Sequence, residues 1–257
     1  MKNILIFIAL VGIGVGIWYG GRLLTDPTSD THILSGSEVI AGEMQYTEEG
    51  QYYTVAASYP ARTSLSGPAD KRARDTMEVY VQNDIAEFKK NINADQISGP
   101  EKEMLDSMGR KYAYDAKYKQ YAGADDGLIS YEYDMYIDTG GAHPNGFFKT
   151  FTFDAEGNDV KLSNLFQPES DYLQRISTIA LTDVKQQLSE RLGKDASASI
   201  FAEGLAPTEE NFSNFVVDSN TLVFLIEPYQ AAAYAAGTFE VRIPLTQFAD
   251  ILRPEWK

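Results

Sequence analysis

Cysteine is absent from this chain. Its absence excludes a disulfide framework, a cysteine-ligated zinc or iron–sulfur site, a cysteine nucleophile and a cysteine-linked lipid anchor. Histidine is scarce: His32 and His143 are the only two, too few for a multi-histidine metal centre. Positive charge is scarce as well. The 22 Lys and Arg face 37 Asp and Glu, a formal net charge of −15, the wrong sign for a nucleic-acid binder. No sequence repeat with a period of about 20–50 residues is visible, which speaks against a solenoid or propeller. The rest is ordinary globular composition: 44% hydrophobic and 23% charged in 257 residues, room for one large domain or two small ones.

One apolar run stands out. Ile4 to Gly21 is 18 residues without a charge, bracketed by Lys2 and Arg22. As a helix it would extend roughly 27 Å, close to the thickness of a bilayer core. A cleaved secretory signal is the rival reading, with an apolar region of about 7–15 residues that ends in small residues. This run ends Ile17-Trp18-Tyr19-Gly20-Gly21-Arg22, and Trp18 and Tyr19 suit a membrane interface. We therefore expect residues 1–24 to be a signal anchor, crossing through residues 4–21 with the N-terminus cytoplasmic. Residues 25–44, rich in Ser, Thr, Asp and Gly and holding His32, read as a tether. Residues 45–257 read as an extracytoplasmic domain, with a subdomain division near 110–125. Gly12, Gly16 and Gly20 form a small-residue ridge common in membrane helices. They are no nucleotide loop, because no strand and amphipathic helix flank them.

Periodicity organises the outer region. Ala73, Met77, Tyr80, Val81, Ile85, Phe88 and Ile92 recur at spacings of three and four, one apolar face of a helix opened by Gly67-Pro68. A second long helix is expected from Pro168 to Leu192, ended by Gly193 and buried through Leu173, Ile176, Ala180, Val184 and Leu188. Pro100 to Met108 reads as a short helix or a loop. Strands are expected at 52–60, 112–119, 129–138, 147–153, 160–162, 212–218, 221–227 and 238–243, with Ser219-Asn220 as a two-residue turn. A short helix is expected after Pro244, ending near Leu252. The fold class is α+β: antiparallel sheets with two long helices and a short C-terminal helix packed on them, preceded by the membrane helix.

The 16 tyrosines and 13 phenylalanines suggest a sugar-binding platform or plain core filling, and Tyr112, Tyr114 and Tyr118 share one face as a candidate exposed strip. The run Thr139-Gly140-Gly141-Ala142-His143-Pro144-Asn145 joins two strands. Gly140 and Gly141 permit positive φ, and Pro144 holds His143 extended. His143 either pins this turn against neighbouring tyrosines or acts as a general base in an uncharacterised cell-envelope hydrolase. The sequence names no orienting partner for it. H-E-x-x-H and G-x-S-x-G are both absent, so neither a metal, a cofactor nor a hydrolase triad is assigned.

Three stretches together carry a resemblance. They are Tyr53 to Pro60 with the helix at 68–92; Tyr136 to Asn145 followed by the Gly157 turn and Leu162-Ser163-Asn164-Leu165-Phe166; and Phe224-Leu225-Ile226-Glu227-Pro228-Tyr229-Gln230 through Tyr234 and Gly237 to Val241-Arg242-Ile243-Pro244. Over residues 45–253 the chain resembles the bacterial extracytoplasmic domain of unknown function shared by RsiV-type anti-sigma factors and PdaC-type peptidoglycan deacetylases. The resemblance implies an α+β domain in the cell envelope. It points to Gly140, Gly141, His143, Asn145, Tyr229 and Tyr234 as binding residues, and to a lysozyme-like muramidase or a peptidoglycan fragment as the partner. RsiV-type proteins carry a cytoplasmic sigma-binding segment, and only Met1-Lys2-Asn3 precedes the anchor here, so sigma-factor sequestration is not expected. PdaC-type catalysis needs a separate deacetylase domain with an Asp and His metal set. No such set follows Thr152-Phe153-Asp154, so a non-catalytic sensor or binding role is expected.

On this reading, cell fractionation should recover the full-length chain in the membrane. A soluble form trimmed at its N-terminus would overturn the anchor.

Overall fold

The computed structural model describes residues 38–40, 42–121 and 127–256. The expected anchor and nearly all of the tether, with His32, lie outside them. Among the described residues no helix is long and apolar enough to cross a membrane.

Six strands form one sheet in chain order: β1 (Glu38–Ile40), β2 (Glu43–Glu49), β3 (Tyr53–Pro60), β4 (Tyr112–Tyr121), β5 (Ile129–Asp138) and β6 (Asn145–Phe153). Between β3 and β4 the chain leaves the sheet for α1 (Gly67–Asn91) and α2 (Gly99–Met108). This excursion corrects the expectation of antiparallel pairing throughout. β3 and β4 run parallel, with Val55 opposite Tyr114, because a helical crossover returns the chain to the end of the sheet it left. The other pairs of this sheet are antiparallel. β2 escaped the sequence reading because three glutamates in EMQYTEE mask its alternation.

α1 lies over one face of this sheet. Ala73, Met77, Val81, Ile85, Phe88 and Ile92 are buried as their spacing requires, against Val55, Tyr59, Tyr114, Tyr131, Tyr133 and Phe153. This placement overturns the exposed aromatic strip. Tyr112 and Tyr114 are buried and Tyr118 half-buried, because the helix covers the tyrosine face. Core filling accounts for these rings.

A second layer pair follows. α3 (Tyr172–Leu192) starts four residues later than expected, because Glu169 takes a left-handed φ of 61° just before it. The strands β7 (Phe215–Asp218), β8 (Thr221–Ile226) and β9 (Phe239–Pro244) form an antiparallel sheet. Its Leu222, Phe224, Ile226, Val241 and Ile243 face α3. On its opposite face Val216, Val223 and Leu225 pack with Tyr121 and Phe148 of the large sheet. The layers thus run helix, sheet, sheet, helix. The expected strand at 160–162 reduces to one bridge between Phe153 and Asp159 followed by a 3-10 turn at Leu162–Leu165. The expected C-terminal helix is a 3-10 turn at Leu245–Phe248, which buries Leu245 and Phe248.

A polar tie fastens β2 to α1. The Glu48 carboxylate accepts hydrogen bonds from Tyr46 and Tyr53 and pairs with Lys89 at 2.7 Å. Burial pushes this carboxyl up, but the Lys89 ammonium and the two phenols outweigh it and hold it at about 2. The folded value lies below the ordinary 4.5, so the stabilisation is complete above that pH and is lost as pH falls. Between pH 4.5 and 2 the melting temperature should therefore drop, and it should drop less steeply in Glu48→Gln. An equal slope in the variant would show that Glu48 is not the titrating tie.

Candidate functional site

The β5–β6 turn is built around Asp138. Its carboxylate accepts the Gly140 N–H at 2.9 Å and pairs with Arg110 at 2.6 Å. Burial raises this carboxyl, and the Arg110 guanidinium and the Gly140 amide reverse the shift, leaving it below the usual carboxylate range. Gly140 sits at φ 79°, and a Cβ there would stand 3.0 Å from the Tyr112 ring. Gly141 does not share this need: its φ is not positive, and a Cβ would meet nothing closer than 3.7 Å. The expectation of a positive φ thus holds at Gly140 and is corrected at Gly141.

His143 follows on the same turn. Its Nδ1 lies 3.1 Å from the Pro144 carbonyl and its Nε2 3.1 Å from the Tyr229 hydroxyl. The carbonyl can only accept, so Nδ1 carries the hydrogen in that contact, and the neutral ring then accepts the Tyr229 hydroxyl at Nε2. The imidazole stacks on Tyr234 with centroids 4.1 Å apart, and Tyr234 donates to the Pro144 carbonyl at 3.3 Å. Tyr229 and Tyr234 are 5.4 Å apart. The structure therefore brings His143, Tyr229 and Tyr234 together across 86 and 91 residues of chain. Gly141 and Asn145 are exposed on the same hairpin and bond to none of the three rings. Among the described residues no carboxylate bonds His143, and the Pro144 carbonyl orients its ring instead. Among the described residues, too, no group of three acids or histidines is placed to hold a metal ion.

Sequence reasoning missed Glu227. It directly follows β8, ahead of Pro228, and the one available signal was an acid closing the run Thr221–Ile226. Its Oε1 accepts the Phe148 N–H at 3.1 Å and the Asn214 amide at 2.8 Å. Burial pushes its carboxyl up, against these two donors. Tyr229 follows at φ 69°, more than half exposed. A non-glycine residue held in this region costs about 1 kcal/mol or more and marks sites held by their surroundings. Here Gln230 does the holding. Its side chain accepts the Glu227 N–H and donates to the Gly204 and Asn211 carbonyls. Beside this loop opens a cleft of about 390 Å³, lined by Glu210, Asn214, Glu227, Tyr229 and their neighbours.

Two family models meet at this site. Residues 46–146 match the one described as deacetylase PdaC, and residues 163–246 match a protein of unknown function, DUF3298. The chain thus carries a PdaC-like segment followed by a DUF3298-like segment. The PdaC part supplies His143, and the DUF3298 part supplies Tyr229, Tyr234 and Glu227. The peptidoglycan-N-acetylmuramic acid deacetylase PdaC of Bacillus subtilis is 26% identical over 212 residues, 81% of this chain and 41% of that protein. The chain thus spans about two fifths of that relative's length. Immunogenic protein MPT64 of Mycobacterium tuberculosis is 26% identical over 212 residues, 82% of this chain and 86% of that one. DUF3298-family crystal structures from Bacteroides fragilis and Pseudomonas aeruginosa share the fold, with TM-scores of 0.55 and 0.51 at 16% and 15% identity. They cover 83% of this chain, and 93% and 95% of their own.

His143→Ala should lower stability by about 1–2 kcal/mol, since one stacked ring and two hydrogen bonds outside the core are lost. Gly140→Ala should cost about 1–2 kcal/mol, and Gly141→Ala should stay within about 0.5 kcal/mol. Urea melts of the three variants check the order, and equal losses at the two glycines would contradict the turn geometry.

Proposed function

We propose that this chain is a membrane-anchored, extracytoplasmic binding module of the bacterial cell envelope, non-catalytic, whose partner is a cationic protein of the lysozyme type. The matches to the PdaC and DUF3298 models, and the similarity to a peptidoglycan deacetylase, support the cell-envelope assignment. Charge carries the choice of partner. All 37 acidic residues lie beyond residue 25, with 20 of the 22 basic ones, a net of −17 on the outer region. A field of that sign repels anionic wall polymers and raises the encounter rate of a basic protein. A binding role also fits His143, whose ring nitrogens are engaged by a carbonyl and a phenol rather than by a carboxylate and a reacting group.

The test is a titration of the full chain in detergent micelles with hen egg-white lysozyme across a salt series. Binding should be saturable, and association should slow as salt shortens the Debye length to about 8 Å at physiological ionic strength. Absence of saturable binding at low salt would overturn the lysozyme-type partner. Saturable binding of a peptidoglycan disaccharide in its place would assign the module to wall fragments.

A further inference from the structure

The cleft beside Tyr229 has an unusual inventory of polar groups. Its side-chain donors are largely committed inside the protein. Asn211 gives its amide to the Glu203 and Ala206 carbonyls, and Gln230 gives its amide to those of Gly204 and Asn211. Asn214 donates to Glu227, and the Ser213 hydroxyl donates to the Glu210 carbonyl. What the lining residues leave uncommitted is oxygen: Glu227 Oε2, the Glu210 carboxylate and the Asn214 side-chain carbonyl have no partner among the described residues. No Lys, Arg or His lines the cleft. A ligand that fits such a lining must bring donors and positive charge.

Two further features bear on which cation fits. Glu227 Oε1 is fixed by the Phe148 N–H and the Asn214 amide, so the carboxylate plane is set before any ligand arrives. A largely desolvated carboxylate without a cation is a costly arrangement that a positive group relieves. Tyr229 stands beside it with its ring exposed and its hydroxyl tethered to His143. An aromatic ring and a carboxylate lining one cleft suit a planar guanidinium or an ammonium, which gain from both.

We propose that this cleft receives the side chain of an exposed Arg or Lys on a basic protein, seated between the Glu227 carboxylate and the Tyr229 ring. The inference rests on the binding reading above and names where on the chain that partner engages. A sugar is less well served, because its hydroxyls need donors as well as acceptors, and the lining has few donors left.

Two probes on the full chain in micelles test it. For lysozyme, Glu227→Gln and Tyr229→Asn should each weaken binding at least tenfold, while Glu103→Gln, which removes the same charge from an exposed position on α2, should weaken it no more than twofold. Tyr229→Asn keeps the fold testable, because Asn tolerates φ 69° better than Tyr. Equal losses at Glu227 and Glu103 would reduce the effect to the overall field and overturn the cleft. For Nα-acetyl-arginine methyl ester, NMR shifts should saturate at Tyr229 and Asn214, and its neutral isostere Nα-acetyl-citrulline methyl ester should bind at least tenfold more weakly. Equal binding of the two esters, no localised shifts, or saturation of the cleft by N-acetylglucosamine oligomers would overturn the proposal. Binding of the arginine ester without binding of lysozyme would support the cleft and reject only the named partner.

Discussion

The seam between the two sheets is the contact on which the rest of the molecule depends. β6 is the last strand of the large sheet, so its outer N–H groups have no neighbouring strand. Glu227, from the other sheet, accepts the one at Phe148. Further along, the Ser130 hydroxyl accepts the Val217 N–H at 2.9 Å and shares a hydrogen with Thr152 at 2.8 Å. Tyr121 and Phe148 pack there against Val216, Val223 and Leu225. Each side of the seam has its own hydrophobic core. The seam is what converts two small α+β units into one arrangement, and it shields an edge that would otherwise template strand pairing with another chain.

The aromatic trio is a product of that seam. His143 belongs to a hairpin of the first unit, whereas Tyr229 and Tyr234 belong to the loop after β8 in the second. They meet because β6 and the end of β8 are tied together next to them. The strained backbone at Tyr229 is held by Gln230, whose amide also reaches the 204–211 segment. Gly204 makes this possible: a Cβ there would stand 1.7 Å from the Gln230 carbonyl. The site is therefore overdetermined by packing behind it, with little freedom to relax.

Much of this was legible in the sequence, and the failures have physical causes. α1 was readable because its burial follows helical spacing strictly, from Ala73 to Ile92. The alternation in β4 and β5 was readable too, but not which face was wet. Tyrosine suits either environment, and only the position of α1 decides. The parallel pairing of β3 with β4 is a topological consequence of where two helices lie, and no local pattern encodes it. His143, Tyr229 and Tyr234 could be singled out from the stretches that carry the family resemblance. Their meeting depended on tertiary structure, as did the role of Glu227, which as a bare letter in Leu-Ile-Glu-Pro-Tyr looks like any acid closing a strand.

Glu48 and Glu227 show how environment separates acids that are identical in sequence. Both are drawn partly out of water, and both accept hydrogen bonds. Glu48 also has Lys89 at 2.7 Å, and its carboxyl is held low. Glu227 has only an amide and a peptide N–H, which do not outweigh the loss of solvent, and its carboxyl is held high. A carboxylate satisfied by a built-in cation contributes to the fold and offers little to a ligand. One oriented by neutral donors keeps an unmet demand for positive charge. On a chain with 37 acids, this difference in pairing, rather than the number of negative charges, separates an acid that serves the fold from one placed to receive a cationic side chain.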